Sequence, residues 1–82
     1  MSKVQLYRLD IERRDMPGKV FIVYGEYTEC MLAIDEFARA IIAKRTLLLK
    51  DFQTKDQENV TICIAWDLLG CIIMSKKGAN DE

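Results

Sequence analysis

Few kinds of side chain in this sequence could perform catalysis. It contains no histidine, so triads with a histidine base, imidazole acid–base catalysis and histidine-ligated metal sites are excluded. Cysteine, lysine, tyrosine and carboxylate groups remain. The four glycines are isolated from one another, so no glycine-rich phosphate-binding loop is present. The sequence therefore predicts a protein that is not an enzyme and that uses no cofactor and no metal.

The cysteines are Cys30, Cys63 and Cys71. Their odd number and the lack of a C-x-x-C spacing argue against a disulfide framework and against a thiolate metal site. They favour a reduced, cytoplasmic environment. Cys30 lies near the start of a predicted helix, where the helix dipole lowers the pKa of a thiol. A thiol-dependent role of Cys30 is therefore one alternative, although we prefer a small packing residue at this position.

Nucleic-acid binding through a basic hairpin is a second alternative. Tyr7 and Tyr24 fall in two neighbouring predicted strands and could stack bases there. The basic residues around this hairpin are Arg8, Arg13, Arg14 and Lys19. The net charge of −1 and the lack of an aromatic-rich RNA-recognition motif argue against it.

Protein binding is the interpretation that we prefer. The loop from Arg13 to Lys19 carries both charged residues and Met16, as contact loops do, and tryptophan is enriched in interface hot spots. The residues that we predict to contact a partner are Tyr7, Arg13, Arg14, Met16 and Trp66.

Length and hydropathy predict one folded domain. Half of the 82 residues are apolar, and the longest apolar run, over residues 68–74, is far shorter than the roughly 20 residues of a membrane span. The N-terminus lacks the apolar segment of a signal peptide. We expect a single domain over residues 1–76, a mobile tail over residues 77–82, and no membrane contact.

Alternation of apolar and polar residues predicts the strands. Residues 4–12 and 19–24 form a hairpin, with Pro17 and Gly18 in the central positions of a type II turn. Residues 60–66 form a third strand and residues 71–75 a fourth. A short helix over residues 67–77 is the alternative for the last segment, but the adjacent β-branched residues Ile72 and Ile73 favour a strand.

One long helix is predicted to follow the first hairpin. Thr28 is the expected N-cap, and an apolar stripe runs through Cys30, Ile34, Phe37, Ala38 and Ile41. Residues 48, 49 and 52 continue this stripe, so we prefer a helix that extends to about residue 52. A helix that stops near residue 44, followed by an edge strand over residues 46–52, is the alternative.

These elements predict a small α+β domain of ββαββ order, with a mostly antiparallel sheet packed on one long helix. The strands over residues 20–24 and 71–75 are apolar on both faces, and one helix covers only one face. We therefore expect a homodimer or a protein partner to cover the other. Motif-poor chains of this size are common among adaptors, regulatory subunits and occluding inhibitors, including those encoded by mobile elements.

Overall fold

A computed structural model describes residues 4–78 as an α+β fold with one helix and five strands. The elements are β1 (Leu6–Arg13), β2 (Val20–Glu26), α1 (Tyr27–Ala43), β3 (Leu47–Gln53), β4 (Asn59–Ile64), a 3-10 helix (Trp66–Leu68) and β5 (Leu69–Lys76). The strands form one antiparallel sheet in the order β4-β3-β2-β1-β5. The predicted class is confirmed, but the order is ββαβββ. In the predicted tail, residues 79–82 lie outside the described residues.

β1 lies between β2 and β5, and its alternate residues supply the core. Leu9 and Ile11 have no exposed surface, and α1 packs on the face that they occupy. Leu9 lies opposite Val23 of β2 and Met74 of β5. The β1–β2 loop contains the predicted type II turn: the Lys19 N–H donates to the Met16 carbonyl at 3.1 Å, and Gly18 has a φ of +86°.

α1 starts one residue before the predicted cap and ends much earlier than predicted. The Glu29 carboxylate accepts a hydrogen bond from the Glu26 N–H at 2.9 Å, so Thr28 lies inside the first turn rather than at the cap. At the other end Lys44 adopts the left-handed conformation with φ of +56°, and the Arg45 N–H donates to the Ala40 carbonyl at 3.0 Å. The expected helix to residue 52 is therefore wrong.

The alternative strand over residues 46–52 is present as β3, and a bulge explains the error. The register of β3 against β4 shifts between Leu49 and Phe52, and Asp51 has a φ of +66°. Because of this bulge, Leu49 and Phe52 are both buried although they are three residues apart. A three-residue apolar spacing is typical of a helix, so the sequence of this bulged strand has the apolar pattern of a helix.

The last segment is a strand, as predicted. β5 begins at Leu69, and the 3-10 helix over Trp66–Leu68 turns the chain before it. β4 spans Asn59–Ile64, so the predicted third strand starts one residue earlier and ends two residues earlier than expected, and Trp66 belongs to the 3-10 helix.

The sheet consists of two unequal parts. β1 pairs along its length with β2 and β5, whereas β2 pairs with β3 only at Tyr24 and Gln53. The β3–β4 hairpin is held mainly by side chains in the core beneath α1. The buried core residues are Leu9, Ile11, Val23, Cys30, Ala33, Phe37, Ala40, Leu47, Leu49, Phe52, Ile64 and Leu69.

Candidate protein-binding groove

Four of the five predicted contact residues lie at the same end of the sheet. Arg13 ends β1, and Arg14 and Met16 lie in the β1–β2 loop. The Arg14 N–H donates to the carbonyl of Leu68 at 2.8 Å, which places this loop beside the 3-10 helix that contains Trp66. The structure therefore brings these four residues to one end, although Trp66 lies fifty or more positions from the other three in sequence.

Tyr7 lies elsewhere. It is half-buried on the helix-covered face near the start of β1, and its ring packs edge-on against Tyr27 of α1 with 5.3 Å between ring centroids. It also packs against the buried core. These contacts give Tyr7 a packing role and separate it from the other four residues.

Trp66 is half-buried and contacts the end of α1. The Lys44 ammonium lies 5.8 Å from the centroid of the indole ring, a cation–π distance. Because Lys44 is also the left-handed residue that terminates α1, this contact ties the helix end to the 3-10 helix. Part of the Trp66 surface remains open to solvent at the same end of the sheet.

A groove of about 380 Å³ lies between β2 and β4. It forms where β2 has no neighbour on its β3 side: within the described residues, Val20–Val23 pair with β1 alone. Phe21 and Ile22 remain 44% and 39% exposed there. The residues that line the groove include Arg13, Phe21, Val23, Val60, Ile62 and Ile64.

The groove is mainly apolar, and the cation that lines it among residues 4–78, Arg13, is paired with a carboxylate. The Arg13 guanidinium forms two hydrogen bonds to the Asp15 carboxylate, at 2.9 Å and 2.6 Å. These bonds raise the pKa of Arg13 and hold the pKa of Asp15 below its usual range. The wall of the groove therefore suits apolar side chains rather than a phosphate or a carboxylate.

The sequence predicted a contact residue at the rim of this groove but none of the residues that form its walls. Arg13 was predicted as a contact, whereas Phe21, Val60 and Ile62 were assigned only to strands. The available signal was the apolar character of both faces of β2. The missing information was the position of β3, which was expected to be part of the helix.

The structure does not place Tyr7 and Tyr24 as a joint platform for stacked bases. Tyr7 pairs with Gly25 and Arg8 pairs with Tyr24, so the two tyrosines point to opposite faces of the sheet. Tyr24 is only 4% exposed, and the Lys77 ammonium lies 5.1 Å from its ring centroid. Two bases cannot stack side by side on these rings.

The environment of Cys30 opposes a thiolate. Its side chain has no exposed surface, and burial, together with the neighbouring Glu29 carboxylate, raises the pKa of the thiol to about 11. The thiol lies 3.7 Å from the Gly25 carbonyl oxygen, to which it can donate. The expected dipole effect is therefore outweighed, and Cys30 is a packing residue of the core.

The sheet face opposite α1 is more polar than the sequence suggested. On this face β1 presents charged residues, with Arg8 and Asp10 joined by hydrogen bonds of 2.7 and 3.0 Å. Apolar residues flank this row, with Ile22 and Ile73 on either side of Asp10 in the register. Among residues 4–78 no helix covers this face.

Other classes of site are not evident in the part of the chain that the structure describes. No group of three or more potential metal ligands converges there, and no helix in it is long and apolar enough to cross a bilayer. Comparison with protein-family models, curated proteins and solved structures finds no match to this chain.

Proposed function

We propose that this protein is a small non-enzymatic interaction domain. It binds another protein through β2, which accepts an extended segment of that protein as an additional strand. The observation that carries the proposal is the free edge of β2 over Val20–Val23 beside an apolar groove. Unpaired strand edges are templates for pairing with an extended segment of another chain. An adaptor, a regulatory subunit or an occluding inhibitor could each use such a site.

The partner segment would continue the line of β3. Since Gln53 pairs with Tyr24, the positions opposite Val20–Val23 are those that β3 would reach if it did not turn away at Thr54. A bound strand would form main-chain hydrogen bonds with β2. Its alternate side chains would enter the groove between Phe21 and Ile62, so apolar residues at every second position are expected.

Four of the five predicted contact residues, all except Tyr7, lie at the end of the sheet where Arg13 borders this groove. Arg13 is at the rim, and Arg14 and Met16 follow in the adjoining loop. They would touch residues that extend beyond the paired segment of the partner. Partly exposed Trp66 lies beside the same loop and could provide an aromatic contact.

Selection from a phage-displayed library of extended peptides, about eight residues long, tests the proposal. We expect selected peptides to alternate apolar residues and to shift the amide resonances of Val20–Val23 and Ile62. Phe21→Asp should abolish their binding. Ile73→Asp, a matched change at an exposed position on the opposite sheet face, should leave it intact.

The proposed site would be wrong if Phe21→Asp retained full binding, or if the peptides shifted resonances elsewhere. A triple substitution of Arg13, Arg14 and Met16 by alanine tests the predicted rim contacts separately. It should weaken binding of longer peptides without abolishing it. Binding that survives unchanged would remove these three residues from the site.

A further inference from the structure

The last strand of the sheet has an open outer edge. β5 pairs with β1 on one side, and among residues 4–78 no strand lies on its other side. The strand is eight residues long, and residues 69–75 carry no charged side chain. Charged side chains on an edge strand are a common protection against pairing with another chain. β5 has no such protection before Lys76, so its edge can accept a further strand.

The pairing with β1 shows which main-chain groups of β5 face outward. The Lys77 N–H donates to the Leu6 carbonyl oxygen at 3.1 Å. Along a strand of an antiparallel pair, residues alternate between facing the neighbouring strand and facing away from it. The N–H and C=O groups of Ile73 therefore face β1, whereas those of Ile72 and Met74 face outward. A further strand could bind these outward groups without any change in the fold.

The sequence of β5 matches itself when two copies run antiparallel. A two-fold axis perpendicular to the sheet at Ile73 places this residue opposite Ile73 of the second copy. In the same register Ile72 lies opposite Met74 of the second copy, so the outward main-chain groups of these two residues meet and can form hydrogen bonds. Cys71 lies opposite Ser75 of the second copy. Apolar residues thus meet apolar residues, and small residues meet small ones.

Pairing in this register would cover the most exposed large apolar residue of β5. Ile73 is 58% exposed on the sheet face opposite α1, and its two copies would lie against each other across the axis. On the α1 face, Ile72 and Met74 pack against the core and would extend it into the second copy. Both faces of the contact therefore bury apolar surface, which drives association.

The charges of β1 suit the same register. On the face opposite α1, Glu12 lies beside Cys71, and Arg8 lies beside Ser75. Because Cys71 faces Ser75 of the second copy, each Glu12 shares a row across the joined sheets with an arginine of the other copy. Asp10 shares its row with its own copy, but each Asp10 carboxylate is paired with Arg8 at 2.7 Å. No like charges are directly opposite each other at the contact.

The outer edge of β4 is less suited to such pairing. β4 has six residues, including the polar Asn59 and Thr61, against eight in β5. It also belongs to the hairpin that joins β2 through the single pair Tyr24↔Gln53. A dimer through β4 would therefore depend on the part of the sheet with the weaker backbone attachment.

We propose that β5 is a homodimer interface in which two copies pair antiparallel about Ile73 and join their sheets into one. The edge of β5 and the groove beside β2 lie on opposite sides of β1, so this interface is separate from the proposed partner site. A contact made by one strand of each copy is at the small end of protein interfaces. A weak, concentration-dependent dimer is therefore expected.

Sedimentation equilibrium over about 10–500 µM protein, with a reducing agent to prevent disulfides through Cys63 and Cys71, tests the proposal. We expect a monomer–dimer equilibrium. Ile73→Asp should weaken it at least about tenfold, because two carboxylates would lie directly opposite each other across the axis. The matched control Leu48→Asp changes a residue of β3 that is 49% exposed, and it should leave the equilibrium unchanged. Peptide binding beside β2 should survive Ile73→Asp, so the two proposals can fail separately.

A cross-link tests the register. In chains that carry Cys63→Ser and Cys71→Ser, Ile73→Cys should form a disulfide between copies on oxidation, since its Cα atoms would be about 4.5 Å apart. Ser75→Cys should not, because its two copies would be offset by roughly 13 Å along the strands. A monomer throughout the concentration range, a dimer insensitive to Ile73→Asp, or faster cross-linking of Ser75→Cys than of Ile73→Cys would overturn the proposal. Circular dichroism shows whether each variant is folded.

Discussion

The two parts of the sheet are built by different forces. Around β1, main-chain pairing is continuous from Leu6↔Glu26 to Glu12↔Val20 on one side and extends to Lys76 of β5 on the other. The β3–β4 hairpin is paired within itself but joins β2 at Tyr24↔Gln53 alone. Phe52, Leu47 and Leu49 hold it through the core. A sheet can therefore be continuous in its core and open in its backbone, and this opening is where we propose that a partner strand binds.

The largest effect is expected from truncating the centre of the β1 part. Leu9→Ala removes a side chain with no exposed surface and should lower the free energy of unfolding by about 2–5 kcal/mol. Chemical denaturation monitored by circular dichroism measures this loss. Val4→Ala, at an exposed position, is the control and should change little. A loss below about 1 kcal/mol for Leu9→Ala would contradict a core centred on β1.

A pH titration tests how deeply Cys30 is enclosed by the β1 part. Above pH 9 the unfolded chain ionises this thiol while the folded protein keeps it protonated up to about pH 11. The folded state then binds more protons, so the free energy of unfolding should fall as the pH rises from 9 to 11, by about 2–3 kcal/mol. Cys30→Ala lacks this contribution and should show a shallower decline. Equal slopes for the two proteins would place Cys30 in a wetter site.

Gly25 lies next to the Tyr24↔Gln53 pair, the backbone joint between the two parts of the sheet, and a substitution at Gly25 should disturb this joint. A Cβ at this position would lie 2.9 Å from Cε1 of Phe52, so the ring that anchors the hairpin must move. Gly25→Ala should cost about 1–3 kcal/mol. A second change, Phe52→Leu, should cost less in the Gly25→Ala protein than in the parent, as a double-mutant cycle would show. Additive effects would mean that the two residues do not contact.

Hydrogen exchange should separate the two parts without any mutation. Amides of β1 are expected to exchange only through global unfolding. Those of β4 are expected to exchange also through local release of the hairpin, at least about tenfold faster. Uniform protection across both parts would show that the single backbone joint is sufficient to couple them.

The smallest effect is expected from the ion pair at the rim of the groove. Asp15→Asn removes the negative charge and one of the two hydrogen bonds to Arg13, but both groups are near solvent, so the denaturation midpoint at neutral pH should hardly change. Since the pKa of Asp15 is lowered in the folded state, its small contribution is present above the usual carboxyl range and is lost as the pH falls through it. Comparing parent and variant midpoints at acid and neutral pH measures it.

Sequence patterns were sufficient for the β1 part and failed at β3. Tyr7, Leu9 and Ile11 alternate without interruption, and Pro17-Gly18 specifies its turn, so local rules predict both strands of the hairpin. At β3 the bulge at Asp51 produces helical spacing, and Lys44 terminates α1 in a conformation more typical of glycine. No local rule marks either feature.

The groove could not be predicted for the same reason, because β3 was expected to be part of the helix. Its rim residue Arg13 could be singled out from charge and loop composition, but its walls require that β3 leave β2 after one pair. The packing of Phe52 and Leu49 in the core sets the position of β3 relative to β2. The periodicity of a single segment carries no information about such packing.

The pairing of β5 with β1 determines when the fold can be completed during synthesis. β1 precedes the other strands in the chain, and β5, one of its two neighbours in the sheet, emerges about sixty residues later. Until then, one edge of β1 and the Leu69 site in the core are exposed on the nascent chain. Such long-range pairing slows folding and favours intermolecular association in the interval. A chaperone or an early binding partner that shields the open edge of β1 would therefore have its largest effect before β5 leaves the ribosome.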